Sequence, residues 1–418
     1  MIIADKDKIF LMLIRRSLFG SKEQLEDLSL SCKEINWKAV EEEAAVHTMS
    51  IAALEGTVGL KNADIPDNVL SDWQGRSIKQ IIKNEKLMSV QNELINLLKG
   101  EQICGAVIKG SSAAVCYNKP EFRVLGDIDY IIKESDFEKA SGLLKRHGYE
   151  AEKSVANKCH TEFFYKGCVI EIHRYINGLP EGKKGEYIKS FFDIALDAED
   201  MHNETVGNYS FPDLNDICKG LTLLLHTQNH LLKGGLGLRH LCDWAAFVNK
   251  KITNEFVASF APILEKTGLL KFYNVLTDVC KKFLLSEKFA LNNEIENSDN
   301  LCDMLMIDFI TNGNFGRKNP EILHGSNIFT ATTVVETKNG TVSKVKLWKN
   351  IMDFIRTSVP ITQKYPIFIP LALIYAPIRY IFRVITGKRK MINKKFISTT
   401  AKRKDLYESL DIFKTNEK

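Results

Sequence analysis

Residues 126–132, Gly-Asp-Ile-Asp-Tyr-Ile-Ile, are the stretch that decides the fold of this chain. The apolar and β-branched run from Ile128 to Ile132 predicts a short strand. Side chains alternate between the two faces of a strand, so Asp127 and Asp129 emerge on one face while Ile128 points into the core. The sequence therefore places two carboxylates side by side at the start of a buried strand.

Two carboxylates at this separation repel each other, and one would retain a proton unless a cation neutralised both. Mg²⁺ suits such a site because it prefers one or two carboxylates together with the phosphate oxygens of a substrate. Glu171, on a later predicted strand, supplies a third carboxylate that could bind a second metal or accept the proton of an attacking hydroxyl. We predict that Asp127, Asp129 and Glu171 are catalytic residues and ligands of Mg²⁺, or of Mn²⁺ in its place.

A Lys-Gly-Ser-Ser sequence at residues 109–112 precedes the acidic strand. Gly110 allows the backbone to approach a phosphate closely, and Ser111 and Ser112 lie where a helix is predicted to begin, so free amides and the helix dipole favour an anion. The spacing is not that of a P-loop. Arg123 is either a phosphate-neutralising residue or a surface arginine. We predict that the nucleotide-binding residues are Lys109, Gly110, Ser111, Ser112 and Arg123.

Each of these motifs is weak by itself. Asp-x-Asp is often a solvated strand edge, and Gly-Ser is most often a turn. The ordered combination is more specific, because a strand, a Gly-Ser bend, a helix, the Asp-x-Asp strand and a later carboxylate strand all fall within residues 103–173.

This combination resembles the nucleotidyltransferase superfamily that includes DNA polymerase beta, and within it an uncharacterised bacterial branch. The resemblance rests in the core on Lys109-Gly110, Tyr117, Pro120, Arg123 and residues 126–129. Outside the core it rests on Trp37–Leu54 with His47, on His226, His230, Arg239 and Asp243, and on residues 313–317. Two features depart from the superfamily pattern: the interval from Gly110 to Asp127 is somewhat long, and the third carboxylate is Glu where Asp is common.

The resemblance implies Mg²⁺-dependent transfer of a nucleoside monophosphate from a nucleoside triphosphate to a hydroxyl-bearing acceptor, with release of pyrophosphate. The acceptor is left open as a sugar, a small molecule or a protein. The alternative hypothesis is a catalytically inactive nucleotide-binding or regulatory protein of the same fold.

The predicted fold class is α+β, with a small mixed β-sheet nucleotidyltransferase core flanked by N-terminal and C-terminal helical regions. Residues 1–100 are predicted as a helical lobe with a long helix beginning near Ser71, 101–210 as the core, and 211–330 as a helical domain. Residues 331–418 are predicted as an extension, with a possible hairpin at Asn339-Gly340, an apolar proline-rich segment and a basic tail.

The net charge of +5 is concentrated at the C-terminal end, where residues 376–418 contain twelve Lys or Arg and four Asp or Glu. The preceding residues carry a mildly acidic balance, which argues against a nucleic-acid groove. Nine scattered cysteines and an N-terminus without a signal-peptide pattern predict a cytoplasmic protein.

The segment from Pro366 to Phe382 is the most apolar stretch of the chain and is followed by a basic run at residues 388–390. It is short for a membrane span and contains three prolines that are expected to interrupt it. It is interpreted either as a segment packed on the protein with a solvated tail, or as a peripheral contact with anionic lipid at the inner face of the membrane. The second interpretation would suit a role in envelope or polysaccharide assembly.

Two residue pairs with helical spacing remain. His226 and His230 share a helix face and could bind a metal, but packing is favoured because the Glu of H-E-x-x-H is missing. Arg239 and Asp243 have the same spacing, and they could form an ion pair that braces this helix against the core or could reach the acceptor or the nucleotide; the structural role is favoured.

Overall fold

The computed structural model describes residues 3–31, 34–152, 159–180, 182–197, 201–233, 236–284 and 298–313, together with 318, 352, 355–356, 359, 361–386, 403 and 405–414. The predicted hairpin at residues 339–340 and most of the 313–317 signature lie outside them.

Among the described residues, four α-helices precede the sheet: α1 (Asp5–Phe19), α2 (Trp37–Val46), α3 (Ser50–Gly56) and α4 (Asp67–Gly100). The prediction that the long helix begins near Ser71 is wrong, since α4 begins at Asp67. Pro66 immediately precedes it. The backbone of Pro66 is extended rather than helical, so the helix does not begin any earlier. Asp67 in the first turn then places negative charge at the positive end of the helix dipole.

Seven strands form one mixed sheet: β1 (Gly105–Val107), β2 (Ile128–Ile132), β3 (Glu150–Ala151), β4 (His160–Tyr165), β5 (Cys168–His173), β6 (His202–Val206) and β7 (Tyr209–Asp213). Their order in the sheet is β3-β4-β5-β2-β1-β7-β6. The pairs β2–β5 and β1–β7 are parallel, and the other neighbours are antiparallel. The predicted α+β class with a mixed sheet flanked by helices is confirmed.

The remaining helices are α5 (Gly110–Ala114), α6 (Phe137–Arg146), α7 (Lys183–Ala195), α8 (Asp216–Lys233), α9 (Leu238–Lys251), α10 (Asn254–Thr267), α11 (Leu270–Phe283), α12 (Ser298–Asn312), α13 (Ile361–Lys364) and α14 (Ile369–Ile385). Buried apolar side chains from Ile9 to Ile412 form one continuous hydrophobic cluster. The division into four domains stays a prediction.

The apolar C-terminal segment is helical over most of its length. Pro370 lies in the first turn of α14, where its missing N–H would be unpaired in any case. The helix also continues past Pro377, so the expected interruption at these two prolines is wrong. Among the described residues, none of the helices combines the length and apolarity that crossing a bilayer requires.

Helices α1 and α3 approach each other closely at a glycine. A Cβ atom at Gly56 would overlap the backbone of Leu13. The guanidinium of Arg16 on α1 also donates to the Gly56 carbonyl oxygen at 2.8 Å. A side chain at position 56 would therefore push two backbones apart.

We expect Gly56→Ala to lower the free energy of unfolding by about 1–3 kcal/mol, because neither backbone can yield without disturbing the core. The matched control is Gly75→Ala within α4, where an added Cβ meets nothing within 4 Å. That change should raise the free energy of unfolding by about 0.5–1 kcal/mol. Urea unfolding of the two variants measures the difference, and equal stabilities would contradict the close approach of α1 and α3.

Candidate active site

The parallel pairing of β2 with β5 brings the predicted carboxylates together. Asp129 is the Cα partner of Glu171, and Ile131 is the Cα partner of His173. Asp127 precedes Asp129 by two residues and His173 follows Glu171 by two residues, so all four side chains lie on one face of the sheet. Asp129 and His173 are buried, whereas Asp127 and Glu171 are partly exposed.

Lys109 and His173 contact the carboxylates directly. The Lys109 ammonium forms an ion pair with Asp129 and lies 4.0 Å from Glu171 Oε2. His173 Nε2 lies 2.9 Å from Asp129 Oδ1 and 3.1 Å from Glu171 Oε2. The carboxylates of Asp129 and Glu171 therefore each have Lys109 and His173 as neighbours.

The backbone at Lys109 adopts an unusual conformation. Its φ of 59° and ψ of −140° lie in a region that side chains rarely occupy, and Gly110 follows with a φ of 33°. A Cβ at Gly110 would stand 3.8 Å from the Asp127 carbonyl oxygen, so the bend lies beside the acidic strand. Strain of this kind persists only where surrounding contacts hold it.

The hydroxyls of the two serines supply such contacts. Ser111 Oγ donates to Gln91 Oε1 of α4, and Ser112 Oγ donates to Asp213 Oδ1 of β7, each at 2.7 Å. Both serines are buried. Because the hydroxyls bond within the protein, a phosphate at this bend would meet backbone amides from these residues.

The pKa values differ sharply across the cluster. The negative charge of Asp129, together with burial, raises the pKa of Asp127 to about 6. Burial opposes ionisation of Asp129, but the charge of Lys109 and the hydrogen bond from His173 outweigh it and hold the Asp129 pKa well below its usual range. Asp127 is thus the carboxyl whose charge the neighbouring cations compensate least.

This donor set fits a hard divalent cation. The candidate ligands are carboxylate oxygens, and a cation would relieve the repulsion that raises the pKa of Asp127. The histidines extend the donor set, since His160, Glu171 and His173 each offer an atom within 4.8 Å of the other two. Sequence reasoning missed His160, which becomes a candidate only because it is the cross-strand partner of His173.

Arg123 lies in a buried ion pair behind the acidic strand. Its Nε and Nη2 donate to the two carboxylate oxygens of Asp243 on α9, both at 2.7 Å. Tyr117 donates its hydroxyl to Asp243 Oδ1, also at 2.7 Å. The expected Arg239–Asp243 pair is absent among the described residues, because Arg123 already occupies both oxygens of Asp243.

Because Arg123 takes both oxygens of Asp243, the guanidinium of Arg239 has a donor that no described residue uses. Its Nη1 donates to the Val124 carbonyl oxygen at 3.2 Å, while its buried Nε has no hydrogen-bond partner among the described residues. Burial and the charge of Arg123 lower the pKa of Arg239, and the charge of Asp127 partly offsets them. The charges of Arg239 and Asp127 therefore interact across the fold.

A family model described as "Uncharacterised nucleotidyltransferase" matches residues 33–284. The chain belongs to this nucleotidyltransferase family. The matched range contains the carboxylate cluster, the Lys109 bend and helix α9. The predicted nucleotidyltransferase resemblance is confirmed.

Two other comparisons accompany the family match. The chain is similar to an antigenic nucleotidyltransferase-like protein from Paracoccidioides brasiliensis of known crystal structure, with 13% identity and a TM-score of 0.29. The likeness covers 46% of this chain and 93% of that chain. No curated protein matches the sequence.

We expect Arg123→Met to lower the free energy of unfolding by about 3–5 kcal/mol, because the buried Asp243 carboxylate loses its charge partner. Tyr117→Phe should cost about 1.5–3 kcal/mol, the range for one hydrogen bond to a charged group. Denaturant unfolding measures both changes.

The double variant Arg123→Met/Asp243→Leu is the control for this ion pair. Removing both charges should restore much of the lost stability, because no buried charge then remains unpaired. A double variant that is no more stable than Arg123→Met would contradict the assignment of the pair.

Proposed function

We propose that this member of the nucleotidyltransferase family is an active, Mg²⁺-dependent enzyme that moves a nucleoside monophosphate from a nucleoside triphosphate to a hydroxyl-bearing acceptor. The observation that carries the proposal is the position of Asp129 directly opposite Glu171 on neighbouring parallel strands. Family membership supports the reaction class.

Asp127, Asp129 and Glu171 would hold the Mg²⁺, or Mn²⁺ in its place. When bound, the cation supplies neutralisation of the charge on the triphosphate, which is the main requirement of phosphoryl transfer. His173 holds the carboxylates of Asp129 and Glu171 in fixed orientations through contacts at 2.9 and 3.1 Å.

The phosphates would be bound by the bend at Lys109-Gly110 and by the backbone amides of Ser111 and Ser112. Arg239 is a further phosphate ligand in this proposal, because its Nε has no other hydrogen-bond partner among the described residues. Arg123 acts through Arg239, since it occupies Asp243 and adds positive charge behind the cleft.

The proposed transfer has a nucleophile, a leaving group and a base for the released proton. The acceptor oxygen attacks the α-phosphorus, the bond from that phosphorus to the bridging oxygen breaks, and pyrophosphate leaves with the electron pair. The acceptor proton passes to Glu171, whose partly exposed carboxylate makes it the general base of this proposal. The acceptor would be a sugar, a small molecule or a protein, and the mildly acidic balance of residues 1–375 disfavours nucleic acid.

We expect Asp127→Asn, Asp129→Asn and Glu171→Gln each to lower Mg²⁺-dependent pyrophosphate release by at least about 10²–10³-fold, the usual effect of removing one charge-stabilising group. Glu162→Gln is the matched control. Glu162 is the cross-strand neighbour of Glu171 but lies one strand further from Asp129, so its loss should change the rate little.

The assay uses mixed nucleoside triphosphates with candidate acceptors, followed by mass spectrometry of the acceptors. Equal rates for wild type and Asp127→Asn would contradict the assignment. Nucleotide binding without pyrophosphate release across all acceptors would favour the rival hypothesis of an inactive nucleotide-binding or regulatory protein.

A second candidate function concerns α14, which carries a continuous exposed apolar face. The exposed side chains of the helix recur every three or four residues and so lie along one side of it: Leu371, Ile374, Ile378 and Phe382. Ile367, in the turn that precedes α14, is also exposed. Residues 361–404 contain eleven Lys or Arg and no Asp or Glu. We propose that this face lies on an anionic membrane surface, where apolar burial and charge attraction act together.

We expect the wild-type chain to float with vesicles containing anionic lipid and to remain below with vesicles of zwitterionic lipid. Leu371→Asp/Ile378→Asp should abolish flotation, because the double change places two charges on the apolar face. Val58→Asp is the control, since Val58 is a similarly exposed apolar residue far from α14 in sequence, with 69% of its surface accessible. Flotation of the double variant at the wild-type level would refute the membrane proposal.

A further inference from the structure

Three histidines from two helices meet at one point of the fold. His226 and His230 lie on α8, and His240 lies on α9. Their ring centroids are 4.4, 5.1 and 5.0 Å apart, and each ring offers a nitrogen within 4.8 Å of the other two. The sequence indicated the pair on α8 and favoured packing for it, whereas the third imidazole is supplied by tertiary structure.

The described part of the chain leaves one buried nitrogen of His240 without a partner. The residue is 2% exposed, and its Nε2 has no hydrogen-bond partner among the described residues. Its Nδ1 lies 3.4 Å from the Gly237 carbonyl oxygen, which can only accept. The proton of a neutral ring therefore belongs on Nδ1, and Nε2 presents a lone pair.

Whether the cluster offers lone pairs or N–H groups decides whether it would bind a metal cation or an anion. Neutral imidazole nitrogens are ligands for transition metals, whereas an anion would require N–H donors at these positions.

The dimensions of the cluster are close to those of a metal site. Zinc binds imidazole nitrogens at 2.0–2.1 Å, which places them about 3.3 Å apart in a tetrahedral site. The three nitrogens, which lie within 4.8 Å of one another, would move closer together on binding the metal. The link from His240 Nδ1 to a backbone carbonyl is the outer contact that commonly orients a metal-binding histidine.

We propose that His226, His230 and His240 form a binding site for a Zn²⁺-type transition metal, separate from the carboxylate cluster. Three nitrogen ligands join α8 to α9 and leave a fourth position for water or substrate. The donor sets of the two sites differ, because the histidine cluster offers imidazole nitrogens alone, whereas the carboxylate cluster offers three carboxylates together with His160 and His173. The site lies near Lys109, whose charge acts on His226.

The test uses the full chain, purified without a polyhistidine tag and stripped with a chelator. With Mg²⁺ in excess to occupy the carboxylate cluster, we expect it to bind one Zn²⁺ by calorimetric titration, and Co²⁺ in its place should give the visible absorption bands of a four-coordinate site. Zinc should also raise the melting temperature, since it binds the folded chain. His226→Gln and His240→Gln should weaken binding more than about 100-fold, because even outer contacts of metal ligands contribute 10–100-fold.

Two variants serve as controls. His147→Gln removes an exposed histidine elsewhere, and Asp127→Asn alters the carboxylate cluster; both should bind zinc as wild type does. If His240→Gln does not fold, the half-buried His226→Gln decides the question by itself. The proposal is overturned if the folded wild type binds no zinc, if folded His226→Gln binds it equally well, or if binding is lost in Asp127→Asn.

Discussion

Asp129 and Glu171 lie side by side on parallel strands, and much of the surrounding structure compensates for the repulsion between them. Burial makes this repulsion stronger, because a low-dielectric surrounding screens charge poorly. The side chains of Lys109 and His173 offset this repulsion by contacting the two carboxylates. Lys109 can do so only because its backbone adopts a rare conformation, and the bonds from Ser111 to α4 and from Ser112 to β7 hold that bend in place.

A second buried charge pair fixes the position of helix α9 relative to the sheet. Arg123 and Asp243 meet with two hydrogen bonds of 2.7 Å, and Tyr117 adds a third to the same carboxylate. The position of α9 then lets the charge of Arg239 act on Asp127 and brings His240 beside the two histidines of α8. One ion pair thus places groups for both the proposed phosphate site and the proposed zinc site.

The two proposed metal sites differ in what makes the binding of a cation favourable. At the carboxylate cluster, like charges raise the pKa of Asp127 to about 6, so an added cation relieves a repulsion already present. At the histidine cluster, the buried Nε2 of His240 lacks a hydrogen-bond partner within the described part of the chain. Charge therefore favours the cation at the first site, and an unsatisfied lone pair favours it at the second.

The sequence by itself determined the local features, because these follow from backbone periodicity. The residues of β2 and the shared face of Asp127 and Asp129 could be predicted from an alternation of two. Strands β6 and β7 were missed because polar residues and a proline interrupt their alternation. Only the tertiary structure decided that Asp129 faces Glu171, that Arg123 pairs with a residue 120 positions away, and that His240 completes a cluster with α8. Such meetings depend on which strands and helices become neighbours when the whole core packs, and no local period in a single sequence encodes that choice.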